Sequence, residues 1–164
     1  MLDAFRKKGF HMYILALNCG SSSLKYQVFD AGTKTAIVGG NVEKIGLPDS
    51  FVTQKYPDGT KQKKETSMKN HDEALNVVLF MLREASIDLN EIGGVGHRVV
   101  MGGDKFASSV EITDEVIKTI DKLSPRFHRV RRLIPCFHSF PHPQGWGFSF
   151  FTKDITKKPQ LIYD

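Results

Sequence analysis

The sequence predicts an α/β fold with a mixed sheet and flanking helices. Short apolar or alternating stretches occupy the first 66 residues, two amphipathic helical stretches follow, and a short apolar stretch separates those helices. The predicted order is therefore three strands, a hairpin, a helix, a strand and a second helix. Strands and helices that succeed each other in this order are typical of α/β domains.

The first two predicted strands flank a run of small polar residues. The run Tyr13–Leu17 is short and mostly apolar, as in a strand covered on both faces. In the second strand, Leu24, Tyr26 and Val28 fall on one face. Between the strands, "NCGSSS" ends in Gly20–Ser23, which we call the serine loop. This pattern predicts a hairpin whose tip presents backbone N–H groups and serine hydroxyls in one direction.

A third strand and a polar hairpin are predicted next. The third strand spans Thr35–Lys44 and is weakened by Gly39 and Gly40. The following stretch, "SFVTQKYPDGTKQKKET", alternates on both sides of Asp58-Gly59, a pair that is typical of two-residue hairpin loops. The second arm of this hairpin is very polar, so we expect it to be solvated.

Two amphipathic helices flank a glycine-rich strand. The first begins at Asn70, and Glu73 completes a capping-box pattern. Its apolar face consists of Ala74, Val77, Val78, Met81, Leu82 and Ala85. The second helix spans about Thr113–Leu123, with Thr113 as its cap. Between the helices, "GGVGHRVVMGG" predicts a short buried strand that ends in a glycine-rich turn.

The overall composition is that of an ordinary soluble globular protein. Of the 164 residues, 40% are hydrophobic and 25% are charged, and no apolar run approaches the ~20 residues of a membrane helix. The stretch "MLDAFRKKGFH" at the start lacks the apolar segment of a secretory signal. Cys19 and Cys136 are too few for a disulfide framework, which predicts a reducing, cytoplasmic location.

The composition changes abruptly near Ser124. Residues 1–124 carry 16 Lys or Arg and 16 Asp or Glu, whereas residues 125–164 carry 7 and 2. This tail also holds 6 of the 12 phenylalanines, 5 of the 7 prolines and the single tryptophan. We therefore expect an extension at 1–11, with Met12 as an alternative start, a domain at 12–124, and a basic, Phe/Pro-rich tail at 125–164. The tail has no clear helical or strand period, so we expect it to be disordered.

The serine loop and Lys25 form a candidate phosphate site. Small residues let backbone N–H groups approach a phosphate closely, serine hydroxyls add donors, and Lys25 adds a positive charge. The stretch lacks the spacing of a Walker A loop. Because Gly, Asn and Ser favour any hairpin turn, a purely structural role is the alternative.

Arg98 is a second candidate, because it lies within an apolar stretch. A buried arginine needs an anionic partner. That partner is either an internal Asp or Glu, or a bound carboxylate or phosphoryl group held by the planar guanidinium. If Asn18 and Arg98 belong to one site, the fold must bring both residues to the same end of the sheet.

Two stretches resemble the amino-terminal signatures of acetate kinases. These are "ILALNCGSSSLK", Ile14–Lys25, and "GHRVVMGGDKF", Gly96–Phe106. Their spacing, the Asp58-Gly59 hairpin and the stretch "VEITDEVIKTI" are similar too, so the resemblance covers about 12–124. One position departs from the family pattern, which has His where this chain has Met101.

This resemblance implies a fold, an activity and roles for six residues. The fold is ribonuclease-H-like, of the actin-like ATPase class, and the implied enzyme is a homodimer that phosphorylates acetate with ATP and Mg²⁺. Asn18 would bind the metal, Arg98 would hold the acetate carboxylate and the transferred phosphoryl group, and Val100 would line the methyl pocket. The implied ATP- and phosphate-binding residues are Ser21, Ser23 and Lys25.

The later parts of the family pattern have no counterpart in this chain. After the second helix, such enzymes continue with a stretch like LAPLHNP, a strand with a catalytic Asp, a second arginine and a metal-binding Glu. Because none of these is present, we assign no catalytic residue and expect the chain alone to be inactive. With most of the acyl pocket missing, acetate, propionate and butyrate all stay open as substrates.

The tail allows three hypotheses. A nucleic-acid arm would use the cluster of Arg126, Arg129, Arg131 and Arg132 beside Phe127 and Phe137. A metal site would use Cys136, His138 and His142, but their spacing matches no standard zinc site. The favoured hypothesis is a frameshift near codon 124, natural or a sequencing artefact, because resemblance and composition change at the same point.

The favoured function is thus that of a truncated acetate kinase with a foreign tail. Its alternatives are a non-enzymatic phosphate- or nucleotide-binding fragment and a basic-tailed nucleic-acid binder. ATP and acetate are the expected small-molecule partners, and no membrane association is expected.

Overall fold

The amino-terminal half of the domain is a five-stranded antiparallel meander. In this computed structural model, the residues described are 12–98, 110, 113–123 and 148–151. The strands of the meander are β1 Tyr13–Cys19, β2 Leu24–Asp30, β3 Ala36–Glu43, β4 Phe51–Lys55 and β5 Lys61–Glu65. Each strand pairs with the next through a short connection, as antiparallel neighbours can. The predicted strands and hairpin are confirmed, and β1 extends far enough to include Asn18 and Cys19.

Two parallel strands complete a mixed sheet. These are β6, Ile92–Arg98, which pairs with β1, and β7, Phe148–Phe151, which pairs with β6. The strand order in the described part of the chain is β5-β4-β3-β2-β1-β6-β7. Helix α1, His71–Glu84, lies between β5 and β6 in the chain, and helix α2, Asp114–Leu123, follows β6. A mixed sheet with flanking helices confirms the predicted α/β class.

Helix α1 covers one face of the sheet and forms the core with it. The helix buries residues at the predicted period: Ala74, Leu75, Val78, Leu79, Met81 and Leu82. They pack in one cluster with alternate residues of the central strands, among them Leu15, Leu17, Leu24, Val28 and Val42. In β1 only this alternate set is fully buried, whereas the opposite set is half-buried. Strand β1 is therefore covered more completely on the face toward α1 than on the opposite face.

A buried polar network ties the sheet to α1. The Tyr26 hydroxyl donates to Gln54 Oε1 at 2.7 Å, and Gln54 Nε2 donates to the Met81 carbonyl at 3.1 Å. Gln54 Nε2 also donates to the hydroxyl of Tyr56 at 2.9 Å. Burial, with a smaller effect from Tyr56, raises the pKa of Tyr26 far above its usual value. The phenol therefore stays protonated as a donor over the physiological pH range.

The β4–β5 connection differs from the predicted two-residue loop. Gly59 N–H donates to the Tyr56 carbonyl at 3.0 Å, so Pro57 and Asp58 are the central residues of the turn. Proline is favoured at the first central position of a turn because its ring fixes φ near the value that this position requires. Gly59 follows with a φ of +85°, the left-handed conformation of a bulged hairpin loop. The solvated second arm is confirmed, since all five residues of β5 are exposed.

Both helices begin at the predicted caps. Asn70 Oδ1 accepts a hydrogen bond from Glu73 N at 2.9 Å, and Glu73 Oε2 accepts one from Lys69 N at 2.8 Å. The Glu73 carboxylate thus reaches the residue before the cap instead of the cap itself. At the start of α2, Thr113 Oγ1 accepts from Val116 N at 3.3 Å. The hydrogen bonds that Asn70 and Thr113 accept confirm both predicted caps, whereas Asn70 and Glu73 do not form the reciprocal pair of a capping box.

One short stretch of the tail joins the sheet. The sequence predicts no regular structure for 125–164, but Phe148–Phe151 form β7 in register with Gly94–His97. Strand β6 would otherwise present an unpaired edge there, and a Phe-Ser-Phe-Phe run has high strand propensity. The expectation that the whole tail lacks regular structure is therefore wrong for Phe148–Phe151, and the rest of the tail lies outside the described residues. In the part of the chain that the structure describes, no helix is long and apolar enough to cross a membrane.

Candidate phosphate-binding site

The serine loop is a tight turn between β1 and β2. Its first residue, Gly20, donates its N–H to the carbonyl of Ser23 at 2.7 Å. A Cβ built on Gly20 would lie 2.7 Å from Ser23 Oγ, which is closer than real side chains approach. A side chain at position 20 would therefore force the Ser23 hydroxyl, which folds back over Gly20, to rotate away. The prediction that the serines form a hairpin tip is confirmed.

Two neighbouring segments hold this loop from outside. The Ser22 carbonyl accepts a hydrogen bond from Ile45 N at 2.9 Å, in the β3–β4 connection. The Gly20 carbonyl is 2.9 Å from Nε2 of His71, the first residue of α1. His71 is only 5% exposed, so this contact is shielded from solvent. The loop is thus anchored to two segments that are distant in sequence.

A row of polar positions crosses the sheet beside the serine loop. Asn18 on β1 is paired with Lys25 on β2 and with Arg98 on β6. Lys25 is paired in turn with Asn41 on β3. Directly paired positions of neighbouring strands belong to the same face of a sheet, and strands are about 4.8 Å apart. Lys25 and Arg98 therefore flank Asn18 at backbone separations of about 5 Å each, and about 10 Å from each other.

The row itself carries two cationic residues, Lys25 and Arg98, and two neutral amides. Lys25 is exposed, Asn18 and Asn41 are half-buried, and the Oδ1 atom of Asn41 is buried without a hydrogen-bond partner in the described part of the chain. Asp30 lies at the other end of β2, where it is paired with Tyr13. Five strand residues place Asp30 about 17 Å from Lys25. Two cationic residues and neutral amides suit a phosphate or a carboxylate.

A small cleft opens between the serine loop and the first turn of α1. Its volume is about 320 Å³, at the low end for ligand sites. Its walls come from Ser21, Ile45, Gly46, Lys69, Asn70, His71 and Asp72. The cleft therefore lies against both the loop and the positive end of the α1 dipole.

The structure brings most of the predicted site residues together. Asn18, Lys25 and the serine loop lie at one end of the β1–β2 hairpin, and Arg98 ends the strand beside them. The side chain of Arg98, as well as Val100 and Met101, lies outside what the structure describes, as do the arginines, cysteine and histidines of the predicted tail sites. No group of three or more His, Cys, Asp or Glu side chains that could hold a metal occurs among the described residues.

Sequence reasoning did not identify His71 as part of this site. Its only signal in the sequence is its position after the Asn70 cap, which favours a helix start and nothing more. The partner atom belongs to Gly20, 51 residues earlier in the chain. No local pattern reports a contact of that kind, so the tertiary structure was needed to find it.

A family model and a curated relative that match this chain both indicate the acetate kinases. A model of the acetokinase family matches residues 13–130. An acetate kinase of Bacillus cereus is 52% identical over 113 residues, which is 68% of this chain and 28% of that protein. This chain thus spans less than a third of the length of that relative.

Crystal structures give the same result. The Porphyromonas gingivalis acetate kinase has a TM-score of 0.75 at 35% identity, over 93% of this chain and 40% of its own. A propionate kinase from Francisella tularensis has a TM-score of 0.71 at 28% identity, over 85% of this chain and 36% of its own. These enzymes have the ribonuclease-H-like, actin-like ATPase fold, which confirms the predicted fold for the part that is present. The family match, the sequence identity and the shared fold agree, and the chain belongs to the acetokinase family.

Proposed function

We propose that this chain carries the phosphate- and carboxylate-binding part of an acetate kinase site. The reaction is transfer of the γ-phosphoryl group of ATP to acetate, which gives acetyl phosphate and ADP. The observation that carries the proposal is the pairing of Asn18 with both Lys25 and Arg98 at the end of the sheet that holds the serine loop. The row thus offers an ammonium group on Lys25 and a guanidinium group on Arg98 within reach of one anionic ligand.

The phosphates of ATP would lie at the serine loop. Ser21 and Ser23 would donate hydrogen bonds from hydroxyl and backbone N–H groups, and Lys25 would neutralise charge. Since β1 and β2 place Lys25 directly across from Asn18, the cation lies one residue from the loop that it would serve. A charged hydrogen bond of this kind contributes about 1.5–3 kcal/mol.

Acetate would lie on the β6 side of Asn18. The guanidinium of Arg98 would hold the acetate carboxylate, and Val100 would pack against its methyl group. An acetate oxygen attacks the γ-phosphorus while the bond from that phosphorus to the ADP oxygen breaks. Such transfers depend mainly on positioning and on neutralising charge, which a lysine and an arginine on either side of the reacting group supply.

Mg²⁺ is proposed as the ion that accompanies ATP. In enzymes of this kind it is held by one or two protein oxygens, by phosphates and by water. The described residues fit only a part of that set, since the Asn18 amide supplies one oxygen and no carboxylate is paired with the row. When bound, the ion would neutralise phosphate charge; the steps above rest on the side chains alone.

A chimera tests the proposed function directly. The 113-residue segment that aligns with the Bacillus cereus acetate kinase is exchanged into that enzyme. The chimera is expected to form acetyl phosphate from ATP and acetate, measured as acyl hydroxamate. Arg98→Ala in the chimera is expected to lower kcat/KM by about 10²–10³-fold, as for other preorganised charge contacts. A folded chimera without activity would refute the proposal.

The chain by itself is expected to make no acetyl phosphate. It has no counterpart of the family's catalytic Asp, second arginine or metal-binding Glu, and each missing charge contact costs about 10²–10³-fold. The check is the hydroxamate assay of the chain beside its Arg98→Ala variant. Turnover clearly above that variant would show that the tail or a second subunit completes the site. MgATP binding without turnover would agree with a phosphate-binding fragment.

We also propose that the family-like domain ends near Ser124 and that 125–164 is foreign to it. The change in charge after Ser124 supports this boundary, and the family match ends six residues later, at residue 130. Translation of the gene in a shifted frame after codon 124 should then read like LAPLHNP. A cytoplasmic location and a homodimeric assembly are further parts of this proposal and rest on the family alone.

A further inference from the structure

We propose that His71 is a positioning residue that holds the serine loop in its phosphate-binding shape. This inference rests on the function proposed above, because it names what orients the same loop. Nε2 of His71 is 2.9 Å from the carbonyl oxygen of Gly20, and the ring is almost fully buried. His71 lines the cleft between the serine loop and α1, and we assign it no contact with the reacting groups.

The partner atom determines where the hydrogen lies on the imidazole ring. A carbonyl oxygen can only accept a hydrogen bond, so Nε2 of His71 must be the donor. In a shielded contact the ring therefore carries its hydrogen on Nε2. Substitution by an apolar residue would leave the partly buried Gly20 carbonyl without this donor.

Fixing the Gly20 carbonyl also fixes the next peptide N–H. The carbonyl of Gly20 and the N–H of Ser21 belong to one planar peptide group, and the described residues contain no cis peptide bond. In a trans peptide these two groups point in opposite directions. The carbonyl faces α1, so the Ser21 N–H is directed away from α1. His71 thus sets the direction of a backbone donor at the proposed phosphate site.

The position of His71 is itself rigid. The Asn70 cap precedes it, and the first buried turns of α1 pack in the core through Ala74, Leu75 and Val78, which have no exposed surface. On the other side of the loop, Ile45 N holds the Ser22 carbonyl at 2.9 Å. The loop is therefore held on one side by a hydrogen bond to α1 and on the other side by a hydrogen bond to the β3–β4 connection. A loop that is already ordered loses less entropy when it binds a ligand.

The test uses the full chain with ¹⁵N labelling and three variants. His71→Leu removes the donor, and His71→Gln keeps an amide N–H at a similar reach. Val78→Ala is the matched control, because it weakens α1 packing far from the loop. Two quantities are measured for each: the amide resonances of residues 20–23, and the affinity for MgATP by titration. In the wild type, the ¹⁵N shifts of the His71 ring are also recorded.

The proposal predicts a specific pattern of results. His71→Leu shifts the loop resonances and weakens MgATP binding about tenfold, which corresponds to a loss of about 1.4 kcal/mol in binding free energy. His71→Gln retains most of the affinity, and Val78→Ala keeps both the loop resonances and the affinity of the wild type. The wild-type ring shows its hydrogen on Nε2.

Three results would overturn the proposal. These are unchanged loop resonances and affinity in His71→Leu, equal changes in Val78→Ala, or a wild-type ring whose only hydrogen is on Nδ1. If the leucine variant does not fold, the ring measurement on the wild type decides. If the wild type binds no MgATP, the proposed function fails, and the ring and loop resonances still decide whether His71 holds the loop.

Discussion

Asn18 and Arg98 occupy directly paired positions on the parallel strands β1 and β6. A parallel pair needs a long connection, and here that connection contains the four strands β2–β5 and helix α1. The pairing places the end of β6 beside the start of the serine loop. Two motifs that are separate in the sequence therefore meet at one end of the sheet, as a shared site requires.

Replacement of Lys25 by alanine tests the cation at the serine loop. Because a charged hydrogen bond contributes about 1.5–3 kcal/mol, the Lys25→Ala chain should bind MgATP about 10–100-fold more weakly. Lys55→Ala is the matched control, since Lys55 is an exposed lysine at the end of β4 in the same sheet. Calorimetric titration measures both affinities. An equal loss in the two variants would indicate unspecific attraction by net charge and contradict the assignment of Lys25.

A single methyl group at Gly20 should disturb the loop. In Gly20→Ala the new Cβ would lie 2.7 Å from Ser23 Oγ, so the Ser23 side chain must move. We expect weaker MgATP binding and altered amide resonances at Ser23. Gly96→Ala is the control, because a Cβ there would meet nothing within 4 Å. A Gly20→Ala chain with wild-type affinity would mean that the Ser23 hydroxyl does not contribute to binding.

Truncation of Leu82 tests the contact between α1 and the sheet. Leu82 is fully buried, so Leu82→Ala should lower the free energy of unfolding by about 2–5 kcal/mol. Phe80 on the same helix is 44% exposed, and its ring lies 4.0 Å from Nζ of Lys64. Phe80→Ala should therefore cost less than about 1 kcal/mol. Urea unfolding measures both changes, and similar values for the two variants would contradict the packing of α1 described above.

The buried phenol of Tyr26 should make the stability fall at alkaline pH. Its pKa is raised in the folded state by burial, whereas in the unfolded chain the phenol ionises at a pKa of about 10. The contribution of Tyr26 is therefore complete below pH ~10 and is lost as the pH rises further, by up to about 1.4 kcal/mol per pH unit. Urea unfolding between neutral and alkaline pH should show this slope. Lysines titrate in the same pH range, so the effect of Tyr26 is taken as the difference in slope between the wild type and Tyr26→Phe. Identical slopes would show that Tyr26 does not cause the loss of stability.

Local patterns predicted those elements whose stabilising contacts are local. The Asn70 cap, the buried period of α1 and the alternation of β2 all depend on residues a few positions apart, and each is found as predicted. The β4–β5 turn was assigned one residue too late, because Pro57 takes the first central position of the turn. The strand Phe148–Phe151 was missed because a run of four residues is too short to show a strand period, and its pairing partner β6 lies about 50 residues earlier in the chain.

The order of strand and helix patterns was enough to predict the fold class, and a motif of consecutive residues was enough to predict the serine loop with Lys25 beside it. The sequence could name Asn18 and Arg98 but not their pairing, and it did not point to His71 at all. Both relationships became visible only in the folded chain, because the register of a parallel strand pair and a hydrogen bond across 51 residues depend on how α1 packs against the sheet.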